Sequence, residues 1–246
     1  MRIKRTIVAA ATAVGALTAT STLAYAMSFA GWSPAVNAES VSGTSVSLNT
    51  AALEGCAFVA QRDDILYFAS TRAGGQGGFD IWYSLRGADG AWGDPVNFTA
   101  VNTSADELCP AAHRNGKTFL FVRSGGICGG DDIFVTRLHT TRGWAEPTNL
   151  GCTVNSNGNE ASPSFVGTEL YFSSTRAGGP GGADIWLSAY DGASFGAPAL
   201  VPGLNTTLND NRPNLRRDGL EIFFDSNRAG GDRRPGPMDV DPRKHV

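Results

Sequence analysis

The chain has 246 residues, 41% of them hydrophobic, with a formal net charge of −3, four cysteines, 31 glycines and 12 prolines. That length carries one large domain or two small ones. The mildly acidic balance excludes binding nucleic acid by phosphate neutralisation, and the glycine and proline content suits an all-β fold with many turns.

The chain opens with the basic segment "MRIKR", the apolar run "TIVAAATAVGALTA" and the small-residue stretch "AYA" at 24–26. This order predicts a signal peptide over 1–26, cleaved after Ala26, and hence a secreted or periplasmic protein. The apolar run is short of the roughly 20 residues a membrane span needs. The expected mature chain has 246 − 26 = 220 residues, and losing Arg2, Lys4 and Arg5 takes the charge from −3 to −6. No later segment is apolar enough to cross a membrane.

Beyond the leader the sequence repeats itself. "WSPAV" (32–36) returns as "WGDPV" (92–96), "WAEPT" (144–148) and "FGAPA" (195–199). "LNTAALE" (48–54) returns as "VNTSADE" (101–107), "VNSNGNE" (154–160) and "LNTTLND" (204–210), each an aliphatic residue, Asn, Thr or Ser, three free positions, then an acid. "LYFASTRAGGQGGFDIW" (66–82) returns as "LYFSSTRAGGPGGADIW" (170–186), and its Asp recurs at Asp80, Asp132 and Asp184. A period near 50 residues with short strands and Gly-rich turns predicts a β-propeller with one blade per repeat. The repeats run over about 48–100, 101–153, 154–203 and 204–246, within a propeller domain at 27–246.

In the third repeat the expected strands are A over 162–166, B over 169–174, C over 183–189 and D over 195–201. Strand B is a nearly continuous apolar run, as a strand buried on both faces requires. Asp80, Asp132 and Asp184 stand at the start of strand C, where a carboxylate can accept N–H bonds from the glycine turn before it. "WSPAV" is a strand D with no A, B or C before it. The last repeat has A and B, then only "MDVD" (238–241) as a candidate C. The order D, ABCD, ABCD, ABCD, AB(C) predicts that the chain ends share one blade and close the ring. The expected fold is an all-β propeller of four recognisable four-stranded blades, or a shortened five- or six-bladed one.

The phrases "SxTRAGGxGGxDIW" and "SNRAGG" resemble the WD40-like (PD40) repeats of the TolB propeller and related secreted bacterial proteins, over roughly residues 28–231. The resemblance implies a secreted or periplasmic module that binds a protein or cell-envelope component.

Candidate chemistry is sparse. "GASFG" (192–196) has the form of a nucleophile elbow around Ser194, but an elbow joins a strand to a helix and this stretch overlies a strand C–D turn. His113, His139 and His245 lie in unrelated contexts, so no triad or zinc site is expected, and neither cofactor nor metal is called for. The acids Glu54, Glu107, Glu160 and Asp210 precede each inner strand, so a propeller gathers them at one mouth of its channel. There they are candidates for holding a cation or a basic partner. A structural alternative pairs each acid with an arginine of a neighbouring blade, since Arg72, Arg176 and Arg228 recur after strand B. The second repeat is one residue shorter there, and its Arg123 comes two positions early.

Four cysteines in an exported chain predict two disulfides. Three pairings are open. The linker carrying Cys152 should pass over the turn carrying Cys128, which favours Cys128–Cys152 with Cys56–Cys109, all at the same channel end. Sequence alone therefore supports a non-catalytic propeller that binds a protein or cell-envelope component. Two alternatives stand beside it: a glycan-active propeller using paired carboxylates, and a shortened product of a longer propeller gene, since "DRRPGPMDVDPRKHV" leaves the repeat abruptly.

Overall fold

The computed structural model describes residues 36–60, 64–216 and 219–229. The leader at 1–26, all of "WSPAV" but its last residue, "MDVD" and His245 lie outside these residues, and with them the expected cleavage and ring closure.

The described chain is built of antiparallel sheets, one per repeat, as in a β-propeller. The first blade pairs β1 (Glu54–Val59), β2 (Ile65–Ser70), β3 (Asp80–Leu85) and β4 (Val96–Asn97) in that order. The second pairs β5 (Glu107–Ala112), β6 (Thr118–Arg123) and β7 (Asp132–His139). Its β8 (Gly143–Trp144) and β9 (Thr148–Asn149) both pair with β7. The third pairs β10 (Glu160–Val166), β11 (Glu169–Ser174), β12 (Asp184–Ala189) and β13 (Ala199–Leu200). The fourth shows two strands among the described residues, β14 (Asp210–Leu215) and β15 (Ile222–Ser226).

Two expectations need correction. The inner strands begin two residues earlier than read, at the repeated acid itself. The outer strand is also shorter than the seven residues expected in the third repeat: only Ala199 and Leu200 pair with β12. The cause is the proline of each aromatic–Pro motif. Pro95, Pro147 and Pro198 immediately precede the paired residues and have no N–H to donate to the ladder.

Burial follows the period of two. Along β6, Phe119 and Phe121 join the core packed on the first blade, with Tyr67, Ile81 and Phe98. Leu120 and Val122 face the third blade, with Leu170, Phe172 and Trp186. A strand buried on both faces thus bridges two cores, which is why its sequence is apolar without alternation.

Blades are clipped to each other by the Asn of the motif that ends in the repeated acid, "VNTSADE" and its counterparts. Asn102 accepts from Ile81 N at 2.8 Å and donates to Ile81 O at 2.9 Å, both groups belonging to the preceding blade. Asn155 does the same with Ile133, and Asn205 with Ile185. Two of these asparagines stand in sequences with the form of a glycosylation site, but their amides are spent on the clip. The glycine turn completes the joint. A side chain at Gly77 would meet Ala105 O at 2.0 Å, and one at Gly181 would meet Leu208 O at 1.9 Å, so the next blade's linker can lie on this turn only if there is no Cβ.

Candidate functional site

The repeated acids and arginines do come together, within each blade and not between blades. Glu54 accepts from Arg72 at 3.1 Å, Glu107 from Arg123 at 2.8 Å, Glu160 from Arg176 at 3.1 Å and Asp210 from Arg228 at 2.5 Å. The neighbouring-blade pairing is corrected: strands A and B of one blade are adjacent, so the acid opening A meets the arginine leaving B.

The rest of the motif serves the same pair. Thr103 donates to Glu107 from its backbone N at 2.9 Å and its hydroxyl at 2.6 Å, and Ser156 holds Glu160 in the same way. Ser70 and Ser174 accept from the Nε of Arg72 and Arg176 at 3.0 Å. Each guanidinium also lies over aromatic rings: Arg176 is 5.1 Å from the Phe172 and Trp186 centroids, and Arg123 is 4.6 Å from that of Phe134. "S-x-R" after strand B is therefore a buried structural fork.

Burial decides what these acids can do. The side chains of Glu107, Glu160 and Asp210 are 0% exposed, and Glu54 is 19% exposed. Burial pushes Glu107 upward, against the pull of Thr103 and Arg123. At Asp210 burial also pushes upward, but the bonds from Arg228, Ser226 and Thr206 outweigh it and hold the group below its ordinary value. The carboxylates thus have their partners inside the blade and do not form an open ring at the channel mouth. No cluster of His, Cys, Asp and Glu among the described residues could hold a metal ion.

Asp80, Asp132 and Asp184 cap the glycine turns. Asp80 accepts from Gln76 N at 3.0 Å, Asp132 from Cys128 N and Asp184 from Gly181 N, both at 3.1 Å. A Cβ at Gly75 or Gly179 would fall about 2 Å from that carboxylate, so the turn glycine makes the room the aspartate fills. Burial raises Asp184, and the Gly181 N–H opposes the rise.

The inner strands share a feature that the residue pattern did not reveal. Each inner strand has a bulge two residues after its acid, at Cys56, Cys109, Ser162 and Arg212, with φ of 51°, 47°, 50° and 53°. These are left-handed backbones on non-glycine residues, which are uncommon. They face a cavity of about 510 Å³ that also takes in Glu54 and Phe58. The available signal was the proline following the bulge in three repeats, at Pro110, Pro163 and Pro213.

Cys56 is bonded to Cys109, and Cys128 to Cys152. The second bridge ties a B–C turn to the linker that follows. The first is not a loop staple: it joins the bulges of the neighbouring inner strands β1 and β5, and the Ser162 hydroxyl lies 3.6 Å from the Cys109 sulfur. Ser194 sits in an exposed strand-to-strand turn, its N–H bonded to Asp191 at 2.8 Å, and the next element is strand β13 rather than a helix. His113 and His139 do not share a site: His113 stacks on Phe165 of the third blade, and His139 ends β7.

No protein-family model and no curated protein sequence matches this chain. Among solved structures it is similar to TolB from Acinetobacter baumannii, at 14% identity and a TM-score of 0.52, over 75% of this chain and 40% of that one. It is similar to a TolB from Agrobacterium tumefaciens at 18% identity and a TM-score of 0.50, over 78% of this chain and 60% of that one. An α-L-arabinofuranosidase from Lactobacillus brevis overlaps at 11% identity and a TM-score of 0.44, over 68% and 62%, too loosely to bear on function. The fold is TolB-like; the chain spans 40% and 60% of the two TolB structures.

Proposed function

We propose that this chain is an exported propeller of the PD40 type that binds a protein or another cell-envelope component and performs no chemistry of its own. The observation that carries this reading is the fate of the repeated acids. Glycan hydrolysis on a propeller needs one carboxyl as acid and a second as base or nucleophile, both open to the same bond. Here Glu107, Glu160 and Asp210 are buried and each is held by its own blade's arginine. Export is supported by two cysteine pairs and by the leader pattern of residues 1–26. Among the described residues no helix is long and apolar enough to cross a membrane.

The test is a pair of assays on the chain from residue 27 onward. One is saturable binding to purified cell-wall sacculi and envelope proteins, read by photo-cross-linking. The other is a panel of chromogenic glycosides. Binding without turnover is the expected result. Turnover that disappears in Glu54→Gln, the one partly exposed acid of the four, would replace this reading with an enzymatic one.

A further inference from the structure

The interface between the second and third blades is closed by four side chains. Phe165 stacks on His113 of the preceding blade, ring centroids 4.4 Å apart. Tyr190 packs on Phe165 at 5.9 Å and on Phe195 at 4.8 Å. Arg137 Nη2 donates to the Tyr190 hydroxyl at 3.2 Å.

Strand pairing identifies the same four positions one blade earlier. Ala112 faces Phe119 as Phe165 faces Leu170. Leu138 faces Trp144 as Tyr190 faces Phe195. Leu85 faces Ile65 as Arg137 faces Thr118. Ala60 N bonds Ile65 O as His113 N bonds Thr118 O. The quartet His, Phe, Tyr, Arg thus becomes Ala60, Ala112, Leu138 and Leu85.

The smaller quartet leaves a cleft of about 710 Å³ between the first two blades, lined by Tyr67, Tyr83, Phe98 and Trp144. These rings are already packed on each other, Tyr67 on Phe98 at 6.0 Å and Phe98 edge-on to Trp144 at 5.6 Å, so the lining is pre-formed. On the second-blade rim stand exposed Arg114 and Lys117, and on the first-blade side stands exposed Asp64.

We propose that this cleft is a docking pocket for an aromatic side chain, tyrosine or phenylalanine, presented by a partner protein next to acidic residues. The chain displays the complement itself: at the next interface the same backbone geometry takes a phenylalanine and a hydrogen-bonded tyrosine. The rim sets the direction, because acids flanking the partner's ring meet Arg114 and Lys117 and are repelled from Asp64. This inference rests on the binding reading above and names its partner's chemistry.

The experiment uses the chain from residue 27 with labelled alanine methyls, titrated with the capped tripeptides Glu-Tyr-Glu and Glu-Ala-Glu. Saturable shifts of the Ala60 and Ala112 methyls are expected with the first. Weakening by at least about thirtyfold is expected with the second, as for a lost aromatic anchor. Ala112→Phe with Leu138→Tyr rebuilds the filled interface and should abolish the shifts with the melting temperature held or raised. Should that variant not fold, Arg114→Glu with Lys117→Glu, on the exposed rim, should weaken the tyrosyl peptide and remove its salt dependence. Absent methyl shifts, equal affinity in the filled variant, or shifts from N-acetylglucosamine oligomers alone would overturn the proposal. Envelope binding that survives in the filled variant removes this pocket and leaves the binding function standing; loss of binding by the unmodified chain removes both.

Discussion

Arg123 and Glu107 meet at 2.8 Å although Arg123 occupies the strand position held by Ser70 and Ser174 in the neighbouring blades. In the other repeats the arginine lies two residues further on and reaches back over that serine. In the second it stands directly opposite the acid, bonds it through Nε, and still donates to Val101 O at 2.8 Å. The shift that broke the sequence pattern preserved the contact.

Removing either member of this pair should be costly. Arg123→Ala leaves a carboxylate buried without its cation, and a loss of about 3–5 kcal/mol is expected from denaturant unfolding. Arg212→Ala is the control. Its pair with Asp225 is 71% and 62% exposed, and the change should stay within about 1 kcal/mol. Equal losses would mean the buried forks do not hold the blades.

Gly181→Ala should destabilise by more than about 2 kcal/mol, because its Cβ would meet Leu208 O at 1.9 Å and push the third and fourth blades apart. Gly55→Ala, where nothing lies within 4 Å and φ is ordinary, should be close to neutral. Thermal melts of the two variants side by side give the answer.

Acid should unfold the protein partly through Asp210. Its folded-state value is held below the ordinary 3.8 by Arg228, Ser226 and Thr206 against burial. The unfolded chain therefore takes up the proton first as pH falls. The stabilisation is complete above the ordinary carboxylate range and is lost below it. Denaturant midpoints between about pH 5 and pH 2 should fall less steeply in Asp210→Asn than in the parent. Parallel curves would count against the assignment.

Thiol titration of the unreduced, denatured chain from residue 27 should find no free cysteine, and full reduction should release all four. Replacing Cys128 and Cys152 by serine opens a bridge with a sequence separation of 24, for an expected loss of about 3 kcal/mol. A double variant as stable as the parent would show that the bridge adds nothing to the linker's own packing.

Much of the architecture was legible because it is local. Strand B announces itself as an apolar run because both of its faces are buried. The aspartate opening strand C and the glycines before it lie within a few residues of each other, so one phrase encodes the turn and its cap. Repetition at a period near 50 then supplied the blade order without any long-range information.

The arginine forks were legible as residues but not as pairs. Acid and arginine lie 16 or 18 residues apart, and only the adjacency of strands A and B brings them together. The bulges at Cys56, Cys109, Ser162 and Arg212 share a backbone angle and no residue type of their own, so only the proline that follows three of them marks the place. The cleft between the first two blades is less local still. Ala60, Leu85, Ala112 and Leu138 are unremarkable one by one, and their common smallness becomes a cavity only when two blades pack face to face. What the sequence determined by itself was the repeat, its strands and its turns, all set by hydrophobic period and backbone freedom within one blade. What tertiary structure alone decided was which charges are neutralised, which backbones are strained and where the interface is left unfilled. Each of those depends on atoms that meet only across strands or across blades.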